Sequence, residues 1–127
     1  MLLKECLEVY TAFQKLSSTD LPLKSSWMIA QNISKLKPIV QTFETERDKY
    51  IHVLQSKAEV DDAGNPVVTD ELSAEFAKQI DELMNEDQKV RLKKVTLIDD
   101  GQLSIEPKIL LAALDYIILK DDGNKTS

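Results

Sequence analysis

Three stretches of this 127-residue chain put a pair of carboxylates next to a glycine: Asp61-Asp62-Ala63-Gly64, Asp99-Asp100-Gly101 and Asp121-Asp122-Gly123. Carboxylates clustered in this way are the raw material of a cation loop, and the first copy can be tested against a helix-loop-helix calcium site. With Gly64 at the sixth loop position, Glu59 falls first, Asp61 third, Ala63 fifth and Asp70 twelfth. The fifth ligand is then missing, and the last is too short to replace the usual bidentate Glu. A turn fits better. Asp61 and Asp62 can cap their own backbone, Gly64 and Asn65 tolerate positive φ, and Pro66 prevents a helix from continuing. What the three copies share is chain reversal or termination.

The remaining reactive side chains are few. His52 is the single histidine and lies on the flank of a long helical segment, without a partner in the pattern that would make it a general base. Cys6, the single cysteine, falls on an apolar stripe and reads as a buried structural thiol. One Cys and one His do not assemble a zinc site, and three glycines in all leave no phosphate loop. No convergent catalytic set emerges, so the expectation is a protein that is not an enzyme, with no metal and no cofactor.

Two features point to binding. Arg47 occupies an interior position of an apolar helical seam, where it either snorkels or pairs, with Glu44 one turn away, or serves as a ligand for a carboxylate, a phosphate or a partner chain. Lys89, Arg91 and Lys93 project to one side of an alternating stretch; they either guard a strand edge against aggregation or form an anion-binding stripe. Lys24 and Asn32, on the same long segment as Arg47, complete the candidate binding set.

The net charge of −6 is unevenly spread. Residues 58 to 88 carry one Lys/Arg against ten Asp/Glu, and the flanking thirds are close to neutral. Such a surface, with Glu71, Glu75, Asp81 and Glu82 on one helical segment, repels duplex nucleic acid but suits solvent or a basic partner.

The elements that position these residues are mostly helical. Leu3, Cys6/Leu7, Tyr10, Phe13 and Leu16 mark a first helix, ended by Ser17-Ser18-Thr19-Asp20, whose side-chain oxygens compete for backbone groups. From about Lys24 to Lys57, Ile29, Ile33, Leu36, Val40, Phe43, Arg47, Tyr50 and Leu54 alternate spacings of four and three, a heptad seam with a kink or break expected near Lys35 to Lys37 because of Pro38. Thr69 is the expected cap of a third helix with Leu72, Phe76, Ile80 and Leu83 on its apolar side. From Lys89 the pattern alternates as a strand. Asp99-Asp100-Gly101-Gln102 then suits a hairpin turn, Leu103-Ser104-Ile105 a return strand, and Pro107 the first turn of a last helix that is apolar nearly all round through Leu119.

A chain of this length buries roughly two-thirds of its unfolded surface without staples. Its longest apolar cluster, Ile109 to Leu119, is about half the ~20 residues that span a bilayer. The expected architecture is mainly α with a minimal β-hairpin: a long-helix hairpin, an amphipathic acidic helix and a buried C-terminal helix. Residues 1–120 would form a single helical domain and 121–127 a flexible tail. Uncovered seam and an apolar last helix favour a homodimer.

The order of segments, LPLKSSWMIAQNISKLKP, FETERDKYI, DDAGNP, VRLKKVTLID and LSIEPKILLAALDYII, resembles a group of small uncharacterised proteins of tailed-phage and prophage genomes. Lys24, Asn32, Phe43, Arg47, Asp62, Gly64, Phe76, Leu103, Pro107 and Leu114 carry the resemblance. It implies a viral origin and a small mainly helical fold, and it brings no site residues; with a single cysteine and no long apolar run, the expected location is a reducing compartment, the cytoplasm of a bacterial host cell. The expected function is a phage-encoded, non-enzymatic binding protein that blocks or sequesters a host macromolecule, with a host protein as partner and no membrane. The alternatives are a virion or assembly component and a module that sequesters a small ligand or nucleotide.

Overall fold

The computed structural model describes residues 1–99 and 107–121. Helix α1, Leu3–Ser17, and helix α2, Leu23–Lys57, form the expected hairpin. Strands β1, Glu59–Val60, and β2, Pro66–Val67, follow, then helix α3, Asp70–Met84. Strand β3, Val95–Asp99, helix α4, Pro107–Ala112, a single 3-10 turn at Leu114–Tyr116, and strand β4, Ile117–Asp121, complete the chain. The protein is mainly helical, with two minimal sheets. No helix among the described residues is long and apolar enough to cross a membrane.

Side-chain oxygens terminate α1, as expected from its sequence. The hydroxyls of Ser17, Ser18 and Thr19 donate to the carbonyls of Gln14, Lys15 and Leu16 at 2.6, 2.9 and 2.7 Å. These bonds occupy carbonyls that a helix end leaves unpaired. At the other end of α1, Leu3 N–H donates to Glu86 C=O, and Gln88 N–H to Met1 C=O, so the chain after α3 is tied to the start of α1.

The core gathers Cys6, Val9, Ala12, Phe13 and Leu16 from α1, Ile29 and Leu36 from α2, and Val95, Leu97, Ala113 and Ile117 from the C-terminal third. Val40, Phe43 and Leu54 of the α2 seam are also buried. One chain therefore covers most of the seam that suggested a second copy. The helix runs unbroken through Pro38. Proline removes one backbone donor there, but buried Leu36 and Val40 hold the chain on both sides of it.

The Asp61 turn is the observed β-hairpin. Val60 pairs with Pro66 and Glu59 with Val67. Asp61 Oδ1 accepts from the N–H groups of Ala63 and Asn65, each at 2.9 Å, and Gly64 takes φ +83°. One oxygen of the carboxylate tested as a cation ligand is thus occupied by its own backbone, as the turn reading expects, and the glycine supplies the left-handed residue the turn requires.

Two expectations are corrected. Residues 88–94 are not a strand, and β3 begins at Val95 and pairs in parallel with β4, Val95 with Ile117 and Leu97 with Leu119. The last helix stops at Ala112, and Ile117–Asp121 is strand. A short continuous apolar run reads equally as buried helix or as parallel strand, and the β-branched pair Ile117-Ile118 tips it to strand. The expected return strand Leu103-Ser104-Ile105 and residues 122–127 of the expected tail lie outside the described residues.

Candidate functional site

The first half of α2 and the segment after Gln88 share an unusual composition. Residues 21–43 contain Lys24, Lys35 and Lys37, residues 88–97 contain Lys89, Arg91, Lys93 and Lys94, and neither stretch has a single carboxylate. The fold lays the two side by side in opposite directions. Ser25 Oγ donates to Thr96 C=O at 2.6 Å, and Lys35 Nζ to Arg91 C=O at 2.8 Å. Between them, Asn32 grips Lys93 twice: its Nδ2 donates to Lys93 C=O and its Oδ1 accepts from Lys93 N–H, both at 2.8 Å. A buried primary amide here does what a neighbouring strand would do, satisfying both polar groups of one extended residue.

The result is a basic plate. All seven cationic side chains are exposed, and two of them, Lys35 and Lys93, line one cavity, while Ser25 and Asn32 are buried. Trp27, 62% exposed, stands on this plate one turn after Lys24. It lines a cavity of about 400 Å³ together with Ala30, Gln31, Ser34, Lys35 and Lys93. Gln31 Oε1 is buried and has no hydrogen-bond partner among the described residues. A tryptophan, a glutamine, a serine and two lysines therefore line one opening. Lys35 spends one of its three N–H donors on Arg91 and keeps two.

The candidate residues separate on this geometry. Lys24, Lys89, Arg91 and Lys93 belong to the plate, and Asn32 serves it from below, where no ligand reaches. Arg47 lies elsewhere, twenty residues along α2 from Trp27 and so roughly 30 Å away. Its Nε donates to Asp48 Oδ1 at 3.2 Å, and its guanidinium sits 5.6 Å from the Phe43 ring centroid. The expected partner Glu44 is replaced by Asp48. Its side chain is 40% exposed, which is the snorkelling solution for a charge on an apolar seam.

The acidic surface is on α3. Glu71, Glu75, Asp81 and Glu82 are all exposed, and Thr69 caps the helix by accepting from Leu72 N–H at 3.2 Å. Tyr50 of α2 stacks on Phe76, centroids 5.9 Å apart, which places α3 against the far half of α2. From Trp27 to Tyr50 the helix rises roughly 35 Å, so the start of α3 lies far from Trp27. Its end returns to the middle of α2, where Leu83 lines a depression with Pro38, Ile39 and Gln88.

Cys6 is fully buried and its thiol is pushed above its ordinary range by that burial, as suits a packing residue. His52 is exposed. A further depression, of about 370 Å³ between α1 and α4, is lined by Leu7, Ala12, Ile109 and Ala112 among others and offers few polar groups to orient a ligand.

Sequence reasoning found four of the plate's cations as candidates and missed Trp27, Gln31 and Lys35. The available signal was compositional: a carboxylate-free run of α2 with a tryptophan off the seam. No family model, curated protein or solved structure matches the chain.

Proposed function

We propose that this protein is a non-enzymatic binding protein that blocks or sequesters a host macromolecule through the basic plate around Trp27. The observation that carries this reading is the exposed indole standing among cations that no carboxylate of either segment neutralises. Exposed ammonium groups, an indole and an amide hold a partner by charge, stacking and hydrogen bonding, and aromatic and cationic side chains are the usual anchors of such contacts. The rigid backing supplied by Ser25 and Asn32 means that little order has to be gained on binding. The resemblance to phage proteins supports a role in host takeover or defence evasion in the cytoplasm of a bacterial host cell. We take the single chain as the binding unit, because the seam that suggested a homodimer is filled from within.

The test is affinity capture from bacterial lysate with wild type and with a Trp27→Ala/Lys93→Glu variant of unchanged circular dichroism. A partner retained by wild type and lost by the variant supports the reading. Equal capture by both places the interaction on another surface.

A further inference from the structure

We propose that the Trp27 cavity is a binding site for one unpaired nucleobase with its phosphate, supplied by a free nucleotide or by a single strand. The inference rests on the reading of this plate as the binding surface and names the chemistry that fits it. Each group in the cavity has a counterpart in that ligand. The exposed indole offers a stacking face, and base-on-aromatic stacking is the common way of holding unpaired bases. Gln31 lines the same cavity, and its Oε1 is buried without a partner among the described residues; a rotation of the side chain brings its amide to a base edge that pairing in a duplex would occupy. Lys35 and Lys93 stand on the same cavity as point charges for a phosphate. The volume of about 400 Å³ lies in the range of small-ligand sites.

An acidic peptide would satisfy the lysines and leave the indole without a role. Duplex nucleic acid would meet the cations with its backbone and keep its bases out of reach of the indole. The plate extends past the cavity toward Lys89 and Lys24, which suits a strand that continues beyond one nucleotide.

Trp27 is the only tryptophan in the chain, so fluorescence excited at the red edge, where the three tyrosines do not absorb, reports on this site alone. The full-length protein is titrated at low salt with an oligothymidylate of about 10 nucleotides, with mononucleotides, with a duplex of the same length and with polyglutamate. Quenching by the single strand or by mononucleotides, weakening as salt is raised, supports the proposal; comparable affinity per site for both identifies a nucleotide pocket, and clear preference for the strand identifies a single-strand site. Labelled-oligonucleotide anisotropy then follows the variants. Trp27→Ala and Lys93→Glu are each expected to weaken binding roughly tenfold or more, with Trp27→Phe close to wild type. Thermal unfolding of each variant checks that its fold is kept. The proposal is overturned by an absence of quenching and of anisotropy change at about 100 micromolar probe, by equal binding of duplex or polyglutamate, or by indifference to both substitutions. If the oligonucleotide and nucleotides fail while the lysate partner is still lost with Trp27→Ala/Lys93→Glu, this inference falls and the plate remains the binding surface for another class of partner.

Discussion

At the scale of single residues, the plate depends on a side chain that never meets the ligand. Asn32 satisfies both polar groups of Lys93, and its replacement by Ala leaves a part-buried N–H and C=O without that partner. The expected cost is about 2 to 4 kcal/mol in urea unfolding, against about 1 kcal/mol for Ser25→Ala, which strands one carbonyl. Asn32→Asp separates the two bonds, since a carboxylate still accepts from Lys93 N–H but no longer donates. A second residue-scale contact gives a pH dependence. The Met1 ammonium donates to Asp87 Oδ1 at 2.7 Å, and this hydrogen bond raises its pKa above the ordinary 8.0. A raised folded value means that the contact contributes fully below pH 8 and is lost as pH climbs through the folded pKa. At low salt the urea midpoint is therefore expected to fall on the alkaline side of neutrality, and Asp87→Asn to flatten the fall. Cys6 and Tyr116, also raised by burial, add loss of the same sign only at higher pH, so the comparison is made below about pH 9.

Among the three long helices, α3 is held least firmly. None of its residues is fully buried, its main anchor is the Phe76–Tyr50 stack, and its face toward solvent is dense in carboxylates. Elements with few buried contacts open first. In native-state hydrogen exchange α3 amides are expected to exchange ahead of those in α1 and the first half of α2. Phe76→Ala should speed α3 exchange further and leave α1 protection unchanged; equal protection across all three helices would contradict this order. The same contrast explains what could be read from the sequence. The α1 end at Ser17-Ser18-Thr19, the Thr69 cap and the Asp61 turn rest on local chemistry, and local chemistry is written in neighbouring letters. β4 was misread because Ile117 to Leu119 has no period of its own, and its strand state comes from pairing with β3. The plate was only half legible. Lys89, Arg91 and Lys93 stood out as a stripe, but their alignment with Trp27 depends on Asn32 and Ser25 gripping residues 61 and 71 positions away, and no short-range pattern carries such a match.

For the whole molecule, the separation of charge decides how copies of the chain meet. A two-fold dimer through the Trp27 face would set Lys35 and Lys93 of one copy against those of the other, and like charges opposed across an interface cost several kcal/mol. A two-fold dimer through the α2 seam would need Ile29, Leu36 and Val40, which the chain's own packing buries. The remaining contact, plate against the acidic α3 of a second molecule, is attractive but head-to-tail, so it does not close into a dimer. It is also a contact between exposed charges, which salt weakens within a Debye length of ~8 Å. Light scattering is therefore expected to give a monomer at about 0.15 M salt, with weak association that grows with concentration only as salt is lowered. A dimer that survives high salt would mean that an apolar surface other than the plate is covered by a second copy. Salt-sensitive association that disappears with Lys35→Glu/Lys93→Glu would instead show the plate attracting the nearest anion available to it, which in a pure solution of this protein is its own third helix.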